Sequence, residues 1–212
     1  MKNREIRPAG PYMSIQPLIL ASGSPRRRQL LAEAGLDFQI KVSKVEEPAP
    51  LTDESPRKYA ERMAQLKAWD VASRNSKKTI LSADTIVVLE KQIMGKPAST
   101  TEALHMLQTL SGNTHQVITG CCLILPSSQA PIAFSVKTDV LMRQSKREEL
   151  EGYIASGESM DKAGAYAIQG MGGFMVRAIR GSYSNVVGLP LAEVLDILIA
   201  NKVIASKKIK NF

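Results

Sequence analysis

Three long β-forming runs in the middle of the chain restrict the fold more than any other feature. Thr79 to Leu89, His115 to Leu125 and Ile132 to Met142 are dense in Val, Ile, Leu and Thr, residues that suit a pleated, half-buried surface. The first runs into a predicted hairpin through Glu90 to Gln92, and the other two are joined by a Pro/Ser loop, so neighbouring strands here run antiparallel. Helix signals surround them. Ser55-Pro56 opens a helix to about Arg74 with Tyr59, Met63 and Leu66 inward, Ser99 and Glu102 form a capping box for a helix ending near Gly112, and Ser145 and Glu148 repeat that spacing for a helix through Ile154. Leu18 to Ala21, Ser22-Gly23-Ser24 and Pro25 read as strand, turn and helix, with Gly35 as the stop and Phe38, Ile40 and Val42 as the next strand. A strand from Phe174 to Ile179, a turn at Arg180-Gly181-Ser182 and a last helix from Pro190 follow. Such a mixture predicts an α/β protein whose sheet is not purely parallel.

Composition narrows the class. With 44% hydrophobic and 23% charged residues over 212 positions, the chain buries a real core, which excludes disorder, a low-complexity polymer and a disulfide-stapled mini-protein. Cys121 and Cys122 are adjacent and cannot form an ordinary disulfide, which points to a reducing, cytoplasmic setting. Residues 1–16 carry Lys2, Arg4 and Arg7 without a long apolar stretch, so no secretory leader is expected, and no run suits a membrane span. Only two histidines occur, His105 and His115, and neither has partner spacing; the chemistry is expected to use carboxylates, Lys, Arg and a bound metal.

The net charge of +8 invites a polyanion, either a nucleotide or, in a competing reading, nucleic acid held by a non-catalytic binding module. Aromatic residues are only 5%, which supplies few stacking platforms, and no stable nucleic-acid partner is expected. Residues 1–16 contribute +2 and residues 201–212 contribute +4, leaving +2 for 17–200. The expected organisation is an N-terminal extension (1–16), one catalytic domain (17–200) and a basic C-terminal tail (201–212).

Two constellations stand out. Arg26, Arg27 and Arg28 occupy the first turn of a helix, where they oppose the macrodipole; an anion bound at the Ser22–Ser24 loop reverses that penalty, and the alternative is a solvated basic helix start. Asp84 sits inside an apolar β run, where it needs a cation, a metal or hydrogen bonds, unless the site is merely an exposed turn at a sheet edge. Gly95-Lys96-Pro97 is not a phosphate loop of the Walker type, and Gly170-Met171-Gly172-Gly173 precedes a strand and so fails as a dinucleotide fingerprint. Glu46 and Glu47 follow a strand and could form a metal-binding or general-base pair, although adjacent acids in a polar loop are usually just solvated.

An ordered set of segments resembles the Maf family of nucleoside triphosphate pyrophosphatases: Leu18-Ile19-Leu20-Ala21-Ser22-Gly23-Ser24-Pro25-Arg26-Arg27, Val45-Glu46-Glu47, Ser82-Ala83-Asp84-Thr85, Gly95-Lys96-Pro97, Leu110-Ser111-Gly112, Met160 to Tyr166, Ile168-Gln169-Gly170 and Val187-Gly188-Leu189-Pro190-Leu191. The resemblance implies an elongated, mixed, twisted sheet flanked by helices, with two lobes around a central cleft, and a homodimer. It also implies hydrolysis of a nucleoside triphosphate to the monophosphate and pyrophosphate with Mg²⁺ or Mn²⁺. Carried onto this chain, Asp84 is the catalytic acid/base and, with Glu47, a metal ligand; Ser22, Arg26, Arg27, Lys67 and Lys96 bind the triphosphate. Arg26, Thr85 and Gln169 match the subgroup that prefers dTTP and UTP over 7-methyl-GTP. Ala167, where Gly is common, and Leu66, where an acid often precedes Lys67, depart from the pattern.

Overall fold

The computed structural model describes residues 10–207 except Ser127 and Gln129. The basic stretch at Lys2, Arg4 and Arg7 and the end of the tail beyond Lys207 lie outside the described residues. Strands β1 (Tyr12–Ser14) and β2 (Leu18–Leu20), helix α1 (Pro25–Glu33) and strand β3 (Gln39–Ile40) come first, then α2 (Pro56–Ala72), β4 (Thr79–Leu89), β5 (Gln92–Met94) and α3 (Thr100–Leu110). The paired strands β6 (Thr114–Ile124) and β7 (Ile132–Met142) precede α4 (Arg147–Ala155), two 3₁₀ turns at Ala163–Ala165 and Met171–Met175, β8 (Val176–Arg180), α5 (Tyr183–Val187), α6 (Leu191–Ala200) and β9 (Ile204–Ser206).

The main sheet runs β3-β2-β4-β6-β7-β8, with β5 on the same edge of β4 as β2. β2 pairs in parallel with β3 and β4, and every other pair is antiparallel, so the sheet is mixed as expected. At about 3.3 Å per residue the 11-residue β4 and β6 span roughly 36 Å, long enough to serve two cores. Leu18, Leu31, Leu81, Val187, Leu189 and Leu198 are buried at one end, and Val87, Leu107, Leu110, Leu150, Tyr153 and Met175 at the other. Helix α2 covers the remaining face, where β6 passes so close that a Cβ on Gly120 would stand 2.3 Å from the Ala60 backbone. Glycine there lets α2 lie on the sheet beside Asp84, whose cross-strand partner is Gly120.

Most predicted elements appear, with four differences. The predicted strand over Phe38 to Val42 reduces to Gln39–Ile40. The helix after Ser145 starts one residue later: Ser145 N–H is donated to Ser111 Oγ (2.8 Å), and Glu149 Oε2 accepts from Lys146 N (2.7 Å), so Lys146 and Glu149 hold the cap positions predicted for Ser145 and Glu148. Phe174 belongs to a 3₁₀ turn, and the strand occupies Val176–Arg180. The predicted turn at Ser182 caps α5, its Oγ accepting from Asn185 N at 3.2 Å. β1 pairs with β9 in a separate two-stranded antiparallel sheet that brings the first and last described strands together.

Candidate active site

β4 loses one neighbour part-way along. β2 pairs with it as far as Leu81 and β5 takes over only at Val87, so the edge between them faces a cleft of about 990 Å³. The loop leaving β2 and the start of α1 enter this opening, at the carboxyl end of a parallel strand, where ligands of open α/β sheets bind. Asp84 lies in the middle of the gap. Side chains alternate along β4, so Ser82 and Asp84 face α2, Ser82 Oγ donating to Ala64 O (2.5 Å), while Ala83 and Thr85 face α1. Ser22, Arg26, Arg27, Glu47, Lys67, Asp84, Thr85, Lys96 and Gln169 all line the one cleft.

Lys67, from α2, brings the two carboxylates together: its Nζ lies 2.5 Å from Asp84 Oδ1 and 2.7 Å from Glu47 Oε1. Asp84 and Lys67 are largely buried, whereas the Glu47 side chain is 52% exposed. Burial opposes ionisation of Glu47, and the Lys67 hydrogen bond and charge, with Lys96 and Arg27 farther off, outweigh it, so the carboxyl is held below its ordinary value. The loop carrying Glu47 is fastened to α2 by Arg62, which clamps Glu54 (2.7 and 2.6 Å) and donates to Ala49 O, and by Lys44 N donating to Asp70 Oδ2. Glu46 is exposed and off the cleft.

The two cleft arginines do different work. Arg27 donates from Nε to Gly188 O (2.7 Å), from Nη1 to Ala83 O (2.7 Å) and Ser22 Oγ (3.1 Å), and from Nη2 to Thr85 Oγ1 (3.0 Å), leaving one N–H uncommitted. It thereby closes the bare carbonyl that the missing strand leaves on Ala83. Burial pushes its pKa down, and the Asp84 charge works against that shift. Arg26, one residue earlier and about 100° around the helix, has no hydrogen-bond partner among the described residues, and neither has Lys96. Ser22 Oγ accepts from Arg27 and Ser24 N, which leaves its own hydrogen for an acceptor in the cleft.

The sequence model of the family "Maf-like protein" matches residues 17–201. The chain belongs to the Maf family. It is 46% identical over 190 residues to a dTTP/UTP pyrophosphatase of Nitratidesulfovibrio vulgaris, covering 90% of each chain. It is 47% identical over 181 residues to one of Geotalea uraniireducens (85% of this chain, 93% of the relative). A dTTP/UTP pyrophosphatase of Shigella boydii is 47% identical over 182 residues, 85% of this chain and 91% of its own.

In this Maf protein the far end of the cleft is formed by Tyr166, Ala167, Ile168 and Gln169. Gln169 is half-buried with no hydrogen-bond partner among the described residues, whereas the Thr85 hydroxyl is engaged by Arg27 and by Thr119 Oγ1 (2.9 Å). Tyr59 and the neighbours Asp161 and Lys162 also line the cleft; the Gly-rich setting of Asp161 and Lys162 lets the backbone come close to a ligand. Neither histidine lines it: His105 is exposed, and His115 is buried with its pKa lowered to about 4 by burial. Cys121 and Cys122 point to opposite faces, and burial pushes both thiols up to about 12.

The donor set fits a hard divalent cation in one way only. Among the described residues no three His, Cys, Asp or Glu side chains gather as a metal cage. Asp84 and Glu47 converge on a single cationic centre, and their second oxygens, Oδ2 and Oε2, have no partner among the described residues, so two carboxylates are on offer. That matches a cation that shares its shell with substrate phosphates. No described helix is long and apolar enough to cross a membrane.

Proposed function

We propose that the chain is a nucleoside triphosphate pyrophosphatase that hydrolyses dTTP and UTP to the monophosphate and pyrophosphate. The observation that carries the reading is the order of charge along the cleft: Arg26, Lys96 and the Ser22 hydroxyl with no internal acceptor, beside a carboxylate pair braced by Lys67. Membership of the Maf family and its relatives' being dTTP/UTP pyrophosphatases support it.

In the proposed reaction the triphosphate lies along the Ser22–Ser24 loop, its charge offset by Arg26, Lys96 and the remaining N–H of Arg27. Asp84 Oδ2 takes the proton of a water whose oxygen attacks the α-phosphorus; the bond from that phosphorus to the α–β bridging oxygen breaks, and pyrophosphate leaves with the electron pair. Lys67 on Oδ1 fixes the carboxylate plane and turns Oδ2 to the cleft. Glu47 and Asp84 would hold Mg²⁺ or Mn²⁺, which would supply charge neutralisation and polarisation of the α-phosphate. Gln169 pairs with a pyrimidine edge through its donor and acceptor, while Thr85 acts by holding Arg27. We place this activity in a single domain over 17–200, in the cytoplasm, as a homodimer.

A panel of dTTP, UTP, CTP, dATP, GTP and 7-methyl-GTP, assayed for pyrophosphate with Mg²⁺, Mn²⁺ or EDTA, tests the reading. Pyrophosphate from dTTP and UTP, abolished by EDTA, is the expected result. Release of orthophosphate instead, or tight salt-sensitive binding of DNA or RNA without turnover, refutes it.

A further inference from the structure

Behind Arg27 a line of polar groups leads from the cleft wall at Thr85 into the buried core. Thr85 and Thr119 are direct cross-strand partners on β4 and β6, with hydroxyl oxygens 2.9 Å apart. Thr119 Oγ1 donates to Asn185 O on α5 (3.1 Å), and Asn185 Nδ2 donates to Val117 O (3.1 Å) and Thr138 Oγ1 (3.0 Å). Thr119, Asn185 and Thr138 are all completely buried, and none lines the cleft. Each hydroxyl has one hydrogen to give. Thr119 gives its own to Asn185 O, so in the contact with Thr85 it is Thr85 that donates, leaving the Thr85 lone pairs for Arg27 Nη2. The chain of contacts runs from the guanidinium through Thr85 and Thr119 to the α5 carbonyl of Asn185, which also accepts from Gly188 N at 3.0 Å.

We propose that Thr119 is a positioning residue for the reaction: by orienting the Thr85 hydroxyl it decides which N–H of the Arg27 guanidinium is tied down and which is left for a phosphate oxygen. The alternative acceptor for Thr85, Gly188 O, is 3.4 Å away and already takes Arg27 Nε at 2.7 Å. Without the Thr119 oxygen, Thr85 turns towards that carbonyl and competes with Arg27 for it. A buried threonine that only filled space would be replaced by valine at no cost to the cleft. The inference rests on the pyrophosphatase reading only for its kinetic readout.

The test is a double-mutant cycle of Thr119→Val with Arg27→Gln, with Thr119→Ser as the hydroxyl-retaining control. It is read both in kcat/KM for dTTP and in affinity for inorganic tripolyphosphate. One well-formed hydrogen bond corresponds to about a tenfold change. We expect Thr119→Val to lower kcat/KM and tripolyphosphate affinity about 10-fold in the native background and less than about 2-fold when Arg27 is already Gln, with Thr119→Ser near wild type. Equal losses in both backgrounds, or no loss in the native one, overturn the positioning role. If the wild type releases no pyrophosphate, the functional reading fails, while the tripolyphosphate cycle still decides the role of Thr119; failure of the wild type to bind tripolyphosphate overturns the positioning role alone.

Discussion

Replacing Asp84 by Asn separates chemistry from structure at this site. The side chains are isosteric, and the amide oxygen of the variant can accept from Lys67 Nζ where Oδ1 now lies, at 2.5 Å. Lys67 keeps Glu47 at 2.7 Å, so no cation is left buried alone. Losing one carboxylate from a pair that is 9% and 16% exposed exchanges Coulombic attraction for a smaller desolvation cost, a balance within about 1 kcal/mol. For a chain of this length that is about 2–4 °C in Tm. The reaction loses the group that accepts the water proton, a contribution of about 10²–10⁴ in rate, or roughly 3–5 kcal/mol at about 1.36 kcal/mol per decade. Expected, then, is a kcat on dTTP at least about 100-fold lower with Tm almost unchanged. The two quantities are measured by pyrophosphate release at saturating dTTP and by differential scanning fluorimetry on the same sample. A variant within about fivefold of wild-type kcat refutes the base assignment, and one that loses activity together with about 8 °C or more of Tm refutes the claim that Lys67 and Glu47 sustain the site without it.

Three further outcomes follow from the same geometry. Arg26→Trp combined with Gln169→Glu should lower the preference for dTTP over 7-methyl-GTP at least about 10-fold, since a positioned donor–acceptor pair discriminates strongly between bases; an unchanged ratio in competition assays removes both residues from base selection. Gly120→Ala forces a methyl group to 2.3 Å from the Ala60 backbone and should cost about 3 kcal/mol or more, read as a Tm lower by roughly 6–12 °C, whereas a wild-type Tm shows that α2 does not need the close approach. Arg62 holds the Glu54 carboxyl down to about 2, so the native state favours its ionised form: the benefit is full above the unfolded value near 4.5 and vanishes as pH falls through about 2. Glu54→Gln should therefore cost about 1 kcal/mol at pH 7 and progressively less in acid, and a pH-independent difference in urea unfolding between the two proteins contradicts that linkage.

The sequence disclosed the strands and the positions of the polar residues better than it disclosed their employment. Local chemistry sufficed for β4, β7 and the helix starts at Pro25, Ser55 and Ser99, because propensity and capping are short-range. It misplaced the start of α4 because the groups that settle the matter, Ser111 and Arg143, come from other elements. Glu47 reads as one of two solvated acids until α2 is packed beside it and Lys67 is supplied from 20 positions downstream. Nothing local distinguishes Lys67 from the other lysines of its helix region.

Arg26 and Arg27 show why adjacency misleads. On a list of basic residues they are equivalent, yet the gap between β2 and β5 makes one a closure for the sheet edge and leaves the other to the ligand. That gap exposes Ala83 O, and the positive-φ Gly188 (φ 125°) delivers a second carbonyl from 161 positions away. Two bare carbonyls facing one cleft would repel a triphosphate; with Arg27 across them the same wall presents a positive charge. The interrupted strand therefore both creates the opening and dictates that the residue entering from α1 be a multidentate donor. A lysine, with three donors on one centre, does not span Ser22, Ala83, Thr85 and Gly188 together, so the fork geometry of arginine is required by the backbone before any substrate is considered.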